Sequence, residues 1–410
     1  MTDTRPTCSF LIPTKALEDA LAAVTPFVGA KSSIEVLRAV HIQATLAASY
    51  INFTTTDLDT RATATRQGTT FYDGELLVDL KTLKDAVAAV KPTDTITFTV
   101  NGGSTVEVKG RTSIRLALLP LHDFPEKPKP EPDVKSVVLG TADLLEALDW
   151  VAPAIAIDLT RPVLNSLNLR VDEGRVSIEA CDSYRLHTQL LHNSEEFECT
   201  VPPGDYLLSG TFVKQLLKSK KHLGHQLFFT FGYEAGEERP THCEVYAGAH
   251  DSLIMRTRLV EGQFPNVEQL IPQYEALDSI YACVERSDFE SVVTGIKALA
   301  RGKKHGAPAR VRIARVYDDH GKADHLLSIS FEQESAQLSD TMPVEVHDPQ
   351  GVMDQLNPFD IGFNPEFLAE AFRCKERMCF AAITPLRPVR YNPDMDMDRF
   401  GLLMPIRLED

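Results

Sequence analysis

The sequence predicts an α+β protein of three tandem, similar domains, each with two helices packed on an antiparallel sheet. One order of elements occurs three times along the 410 residues, at a period of roughly 130 residues, which is the size of a domain. Apolar and polar residues alternate in the strand-like runs. Polar, proline-rich linkers are predicted at 126–133 and around 272–278, which gives expected domain limits of 1–132, 133–273 and 274–410.

Each repeat begins with an amphipathic helix, predicted over 14–24, 141–151 and 287–300, that opens on Ser or Thr in an N-cap-like position. Alternating strands follow, for example 40–44 and 51–57 in the first repeat. A second helix is predicted over 81–90, 211–223 and 365–377, followed by further strands that end with 400–408. The first two repeats close on a similar Phe-Pro corner, at Phe124-Pro125 and Phe264-Pro265.

The end of the chain is apolar and reads Leu402-Leu403-Met404-Pro405-Ile406-Arg407-Leu408-Glu409-Asp410. Chain termini are usually polar and frayed, so an apolar terminus is stable only when it is docked. Local pattern leaves two alternatives open. The segment is either a core strand that happens to come last, or a strand that both closes a sheet and lines a binding pocket.

Composition excludes several classes of protein. The net charge of −16 argues against nonspecific adhesion to DNA or to acidic membranes. No apolar run reaches the ~18 residues of a membrane span, and the start of the chain has no apolar signal segment, so we expect a cytoplasmic protein with no membrane partner. The 7 Cys form no CxxC pair, which predicts free thiols rather than a disulfide frame or a metal site.

Enzyme motifs are lacking as well: the sequence contains no GxGxxG, no P-loop and no GxSxG. We therefore expect a protein that is not an enzyme and that needs no cofactor and no metal.

Cations cluster on the predicted helices of this acidic chain. Residues 211–222 carry four Lys and no acid, and residues 291–312 are also basic without an acid. A charge run is usually a solvated face, but equivalent basic helices also suit contact with phosphate, without base stacking because no aromatic residues interleave. The candidate DNA-facing residues are Lys81, Lys84, Lys214, Lys218, Lys220, Lys221, Lys297, Arg301, Lys303 and Lys304.

Asp182-Ser183-Tyr184-Arg185-Leu186 follows a predicted strand and mixes charge, hydroxyl, aromatic and apolar groups. Asp and Ser favour turns at strand ends, so a structural turn is one interpretation. The Tyr-Arg-Leu sequence is absent from the matching turn of the first repeat, so a binding role specific to the second repeat is the other.

Several motifs together resemble the bacterial β sliding clamp family, the processivity subunit of the replicative DNA polymerase. They are Met404-Pro405-Ile406-Arg407-Leu408, Arg161-Pro162-Val163-Leu164-Asn165, the 180–186 segment, Gly262-Gln263-Phe264-Pro265 and Leu270-Ile271-Pro272. The resemblance implies the DNA-clamp fold, in which three domains form a crescent and two chains close into a ring. It also implies double-stranded DNA held topologically without sequence readout, and a homodimer that binds the replicative DNA polymerase, the clamp loader and repair proteins with clamp-binding peptides.

The same resemblance implies one partner-peptide pocket per chain. Carried over by motif, the pocket comprises Leu164, Cys181, Ser183, Tyr184, Arg185, Leu186, Pro265, Gln269, Leu270, Leu402, Met404, Pro405, Ile406, Arg407 and Leu408. Arg185 and Arg407 are expected at its rim, and Lys31 resembles a DNA-contacting position of the family.

This chain departs from the family in four places. It has Ser183-Tyr184 where the family commonly has Gly-His, it extends past Leu408 by Glu409-Asp410, and its segments 232–242 and 385–399 look like longer loops. The sequence therefore predicts a DNA sliding clamp. The alternative is a divergent second-copy clamp, or a scaffold or decoy that binds clamp partners or inhibitors without the main replication role.

Overall fold

The computed structural model describes residues 6–126, 135–172, 174–193, 199–233, 239–248, 252–271, 280–300, 307–317, 319–320, 322–333, 336–348, 351–355 and 358–408. The chain divides into two compact units. The first unit comprises Met1–Asp149, Ser166–Val176 and His192–Gly262. The second unit comprises Trp150–Asn165, Ser177–Leu191 and Gln263–Asp410. Both predicted linkers lie almost wholly outside the described residues.

The helices are short and lie between longer series of strands. They are α1 Thr14–Val24, α2 Leu80–Ala89, α3 Thr141–Val151, α4 Gly210–Lys218, α5 Arg286–Ala300, α6 Val352–Gln355 and α7 Pro365–Ala371. The described residues contain no helix that is both long and apolar enough to cross a membrane.

The strands are β1 Cys8–Pro13, β2 Ala39–Ala44, β3 Tyr50–Thr56, β4 Thr60–Gln67, β5 Thr69–Tyr72, β6 Gly74–Asp79, β7 Thr95–Val100, β8 Thr105–Lys109, β9 Ser113–Ala117, β10 Lys135–Gly140, β11 Ser166–Asp172, β12 Arg175–Cys181, β13 Arg185–Asn193, β14 Gly204–Ser209, β15 Gln226–Gly232, β16 His242–Ala247, β17 Leu253–Arg258, β18 Ile280–Glu285, β19 Ala309–Tyr317, β20 Ala323–Gln333, β21 Ala336–Pro343, β22 Glu345–His347, β23 Phe359–Phe363, β24 Arg377–Ala382, β25 Val389–Pro393 and β26 Arg399–Leu403. The α+β prediction is confirmed.

Two predicted helices end earlier than their sequence pattern suggested. The prediction for 211–223 gives α4 only to Lys218, where the Ser219 hydroxyl donates to the Gln215 carbonyl at 3.0 Å, and a 3-10 turn follows over Lys220–His222. The prediction for 365–377 gives α7 only to Ala371. There the Asp394 carboxylate accepts the backbone amides of 375, 376 and 377, and β24 begins.

The residue predicted to cap α1 is itself helical, and the side-chain N-caps of α2, α4 and α7 belong to the second helix of each repeat. Thr14 is the first helical residue of α1 rather than its cap, and its hydroxyl donates to the Thr93 carbonyl at 2.8 Å. Side-chain caps occur instead on the second helices, where Asp79 caps α2, Ser209 caps α4 and Asn364 caps α7. Each accepts an amide hydrogen that the first helical turn leaves unpaired.

The first unit contains two antiparallel sheets. Five strands are ordered β5-β1-β7-β8-β9 and eight are ordered β10-β15-β16-β17-β4-β3-β2-β6. Pairing of β17 with β4 joins strands almost two hundred residues apart, with Leu253 opposite Ala64. At the end of β4, the buried Arg66 guanidinium donates to the Asp19 carboxylate at 2.6 and 2.9 Å and to the Ser252 carbonyl.

The second unit contains the sheet series β13-β26-β25-β24-β18-β22 and the four-stranded sheet β21-β20-β19-β23. The last strand, β26, therefore lies inside a sheet, between β13 and β25. Part of the predicted loop at 385–399 is in fact β25, which forms a hairpin with β26. Much of the other predicted loop, at 232–242, lies outside the described residues.

The expectation that all cysteines are free is wrong for one pair. Cys283 and Cys379 form a disulfide between β18 and β24, while Cys8, Cys181, Cys199, Cys243 and Cys374 are free. The two cysteines are directly opposite each other in the antiparallel register, although 96 residues separate them in sequence. Spacing along the chain could not reveal a pair that only strand pairing creates.

A glycine in β26 accommodates the aromatic side chain opposite it. Tyr391 in β25 pairs with Gly401, and a Cβ on Gly401 would lie 2.2 Å from a Tyr391 ring carbon. The Tyr391 ring cannot move away freely, because its hydroxyl donates to His187 Nε2 at 2.7 Å.

Gly401→Ala is therefore expected to destabilise the protein by about 2–3 kcal/mol through overpacking. Gly103→Ala is the matched control, because a Cβ there meets nothing within 4 Å. Denaturant unfolding measures both variants. Equal free energies of unfolding for the two variants would contradict the close fit of Tyr391 over Gly401.

Candidate functional site

The apolar chain terminus is docked as the last strand of a sheet. Leu402 is opposite Leu186 and Leu403 is opposite Arg185 on β13, while Leu403 also pairs with Val389 on β25. Leu402 and Leu403 are buried. The regular strand ends at Leu403, five residues before the end that the sequence pattern predicted.

Beyond β26 the backbone stays attached by two hydrogen bonds. The Met404 amide donates to the Tyr184 carbonyl at 2.9 Å, and the Ile406 amide donates to the Gly362 carbonyl at 2.7 Å. A Cβ on Gly362 would lie 2.7 Å from the Leu408 side chain, so Leu408 packs directly over this glycine. Met404 and Ile406 nevertheless remain about two-fifths exposed, at 37% and 41%. The terminus thus closes a sheet and also presents apolar side chains at a surface.

The segment that precedes β13 is a turn, as one interpretation of the sequence held. The Asp182 carboxylate accepts the Tyr184 amide at 3.0 Å and the Arg185 amide at 3.1 Å. Ser183 has φ +78°, in the left-handed region that favours glycine. Its hydroxyl accepts a hydrogen bond from the Arg161 guanidinium at 2.8 Å, which ties this turn to the 155–165 loop.

The turn presents Tyr184 to solvent, with 60% of its surface exposed. Its ring centroid lies 6.1 Å from that of Phe367 on α7. The Met404 amide is bonded to the Tyr184 carbonyl, so apolar side chains from the turn, from α7 and from the terminus lie on neighbouring segments.

Arg185 is largely buried and holds neighbouring segments together, rather than lying exposed at a rim. Its side chain is 9% exposed, and its guanidinium pairs with Asp182 at 3.0 Å, with Glu370 and with the Pro153 carbonyl. The guanidinium carbon also lies 4.3 Å from the centre of the Phe367 ring. These contacts occupy the guanidinium donors of Arg185. The side chain therefore does not offer its polar head to a ligand at a rim, where the sequence led us to expect it. Arg407 is exposed.

Phe367 and Glu370 are members of this site that the sequence reasoning missed. They lie on α7, more than 180 residues from Tyr184 and Arg185. No motif joins the two segments, and the helix cap at Asn364 was the available signal that a helix begins there.

The remaining predicted pocket residues vary in their placement. Leu186 is buried, Leu164 and Pro405 are half-buried, and the Leu164 amide donates to the Arg161 carbonyl at 3.0 Å. Burial raises the pKa of the Cys181 thiol to about 11, so it remains protonated and acts as a small apolar residue. Pro265, Gln269 and Leu270 are exposed, the last two in a 3-10 turn over Glu268–Leu270.

Behind the turn, a buried polar chain links β13 to β25. His187 Nδ1 donates to the Trp150 carbonyl at 2.6 Å, and His187 Nε2 accepts from the Tyr391 hydroxyl at 2.7 Å. The Trp150 ring stacks on His187 at 4.5 Å between centroids. Burial lowers the pKa of His187 to about 3 and raises the pKa of Tyr391, so the imidazole is neutral and the phenol keeps its proton.

The candidate DNA-facing lysines are exposed wherever the structure describes them. Lys81 and Lys84 lie on α2, Lys214 and Lys218 on α4, Lys220 and Lys221 on the following turn, Lys297 on α5, and Lys31 in the 28–34 loop. Lys84 donates to the Thr25 hydroxyl at 3.1 Å. Arg301, Lys303 and Lys304 lie outside the described residues. Among the residues that are described, no three His, Cys, Asp or Glu side chains converge on a metal-sized site.

Comparison with known proteins gives a consistent result. Residues 8–128 match the family model of the DNA polymerase III beta subunit, N-terminal domain. The chain is 22% identical over 409 residues to the beta sliding clamp of Vibrio cholerae, covering 97% of this chain and 100% of that protein. It is 21% identical over 349 residues to the beta sliding clamp of Rickettsia bellii, covering 82% and 83%.

Solved structures show the same fold. The sliding clamp of Bartonella birtlesii, solved bound to griselimycin, has a TM-score of 0.81 at 19% identity and covers 98% of this chain and 100% of that one. The DNA polymerase III beta subunit of Thermotoga maritima has a TM-score of 0.77 at 18% identity, with the same coverage. The resemblance found in the sequence motifs is thereby confirmed.

In the folded protein the pKa of His187 lies below its ordinary value of 6.5, so the free energy of unfolding should decrease as the pH falls. Below pH ~6.5 the unfolded chain takes up a proton that the folded chain refuses, so stability falls by up to about 1.4 kcal/mol per pH unit until pH ~3. His187→Gln removes that proton uptake, whereas His122→Gln changes an exposed histidine. Denaturant unfolding at several pH values between 7 and 4 gives the free energy of unfolding as a function of pH. That free energy should fall less steeply with falling pH for H187Q than for the unmodified protein or for H122Q. An equally steep fall of the free energy of unfolding for H187Q and the unmodified protein would disprove the neutral, buried imidazole of His187.

Proposed function

We propose that this chain, which has the fold of the bacterial β sliding clamps and is similar to them in sequence, is itself a DNA sliding clamp. In this function it acts without enzymatic chemistry. Two copies form a ring around duplex DNA, and each copy tethers the replicative polymerase, the clamp loader and repair proteins through short peptides. The observation that carries the proposal is the docked terminus at Met404–Leu408, beside an exposed aromatic turn.

The chemistry of that surface supports a peptide ligand. Apolar side chains from the terminus, from Tyr184 and from Phe367 lie on neighbouring backbone segments, and the Met404 and Ile406 amides already donate to carbonyls within the protein. A partner can therefore bury apolar groups there without breaking backbone pairing, and the stabilisation comes from apolar area removed from water. The Bartonella birtlesii clamp was solved with griselimycin bound, which is consistent with a ligand-binding surface on this fold.

Charge supports topological rather than adhesive contact with DNA. The protein as a whole carries −16, so its long-range field repels a polyanion. Exposed lysines on α2, α4 and α5 supply local, sequence-independent attraction to phosphate. A ring held by closure needs only such weak attraction, because strong adhesion would prevent sliding.

A second candidate function is favoured by the turn itself. Ser183 keeps a left-handed conformation without being glycine, and the exposed Tyr184 ring lies beside that of Phe367. A clamp with this altered turn could serve as a second-copy clamp or as a scaffold that binds a narrower set of partners or inhibitors.

Binding of a peptide with Gln and Leu/Phe anchors, labelled with fluorescein, should be lost when the chain is truncated before Met404. The truncated chain keeps all of β26, so the sheet should remain folded while the apolar groove loses one wall. Met404→Asp should likewise weaken binding at least tenfold in fluorescence polarisation. Met397→Asp is the control: it introduces the same charge at an exposed methionine in the turn before β26, at the opposite end of that strand from Met404. Unchanged binding after truncation would refute the pocket.

Retention on DNA should depend on DNA topology. When the protein is loaded by a clamp loader onto nicked circular duplex, it should remain bound through gel filtration, because a closed ring cannot leave a circle. Cutting the circle once should release it, since the ring slides off the ends. Retention that is equal on circular and linear DNA would rule out the tether and favour adhesion.

A further inference from the structure

A cleft lies within the first compact unit. It has a volume of about 360 Å³ and is formed by the 26–32 loop, by Asp57 and by one face of α4. The size is that of sites for small ligands, which span roughly 300–1,000 Å³. Pro26 and Val28 give part of its wall an apolar character.

Cations converge on this cleft from two different elements. Lys31 comes from the loop, while Lys214 and Lys218 come from α4. The two helix lysines are four residues apart and therefore lie side by side on one helix face, where like charges repel. Such a pair is favoured when an anion lies between the ammonium groups.

The one carboxylate in the cleft does not neutralise these lysines by direct pairing. Asp57 Oδ1 accepts the amide and the hydroxyl of Thr60 at 2.7 and 2.9 Å. Asp57 Oδ2 accepts the Gln215 side-chain amide at 3.1 Å, which fixes α4 against the 56–60 turn. Three ammonium groups and one carboxylate line the cleft. The net positive charge of the cleft therefore complements the charge of a dianion.

The cleft is preorganised on both sides. On the loop side, the Gly29 amide donates to the Leu37 carbonyl and the Ser32 amide donates to the Gly29 carbonyl, both at 2.8 Å. On the helix side, Ser209 caps α4 by accepting the Phe212 amide. The lysines therefore project from fixed backbone, so binding needs to order only their side chains and not the backbone that carries them.

We propose that this cleft binds a phosphomonoester: a terminal, dianionic phosphate carried by a nucleoside-sized group. The three lysines hold the phosphate, and the apolar wall at Pro26 and Val28 contacts the attached group. A free nucleotide and a 5′-phosphorylated strand end share this chemistry. Binding here needs only the first unit, so it does not depend on ring closure or on the peptide groove.

The test uses the full chain and two trinucleotide probes with a 3′-fluorescein, identical except that one carries a 5′-phosphate and the other a 5′-hydroxyl. Fluorescence polarisation at low salt should show at least tenfold tighter binding of the phosphorylated probe. Lys214→Met combined with Lys218→Met should abolish that preference. Lys109→Met combined with Lys135→Met removes the same charge from exposed strand positions outside the cleft and should preserve it.

Adenosine 5′-monophosphate as competitor identifies the source of the phosphate. Displacement of the probe by the nucleotide, but not by adenosine, supports a free nucleotide as ligand; no displacement, with the probe preference intact, supports a strand end. Equal binding of the two probes, or equal loss of preference in both double variants, would overturn the proposal. Unfolding midpoints of the α4 variant should not fall, because the removed lysines are exposed and repel each other. Peptide binding by the same variant should be unchanged, so loss of the phosphate site is distinguishable from loss of the proposed peptide site.

Discussion

Pairing of the last strand with β13 is the interaction on which the candidate peptide site depends. The register that sets Leu402 opposite Leu186 also fixes where the chain goes next, so that Met404 reaches the Tyr184 carbonyl and Ile406 reaches Gly362. Leu402 and Leu403 are adjacent and therefore point to opposite faces of the sheet, and both are buried. A slip of one residue would exchange their faces and carry the exposed Met404 into the buried position of Leu403, because strand side chains alternate between faces. The burial of two leucines therefore positions the surface residues that follow them.

Buried polar groups hold the turn in place beside that strand. Arg185 is satisfied by two carboxylates, a carbonyl and an aromatic face, and His187 is satisfied at both ring nitrogens. A buried polar group that lost one such partner would cost about 1–3 kcal/mol, so these contacts disfavour alternative packings of β13. The strained Ser183 is tolerated within this frame, and its φ of +78° aims Tyr184 outward.

Much of the fold could be predicted because local signals agree with it. Period-2 alternation located strands such as β7 and β15, and α1 and α3 begin and end where the pattern placed them. Contacts between distant segments left no local trace. The Cys283–Cys379 bond, the approach of Phe367 to Tyr184 and the fit of Tyr391 over Gly401 all arise from pairing across the sheet or between a helix and a turn. Motif resemblance pointed to the terminus and the 181–186 turn, but not to the α7 residues that contact that turn.

Amide hydrogen exchange at the chain terminus tests the central claim most directly. If residues after Leu403 are docked, the Met404 and Ile406 amides should exchange at rates close to those of β26, because each donates to a backbone carbonyl. Addition of the clamp-binding peptide should slow them further. Exchange of both amides at the rate of an unstructured chain would mean that the terminus is frayed, and it could not form the proposed peptide site beside Tyr184 and Phe367.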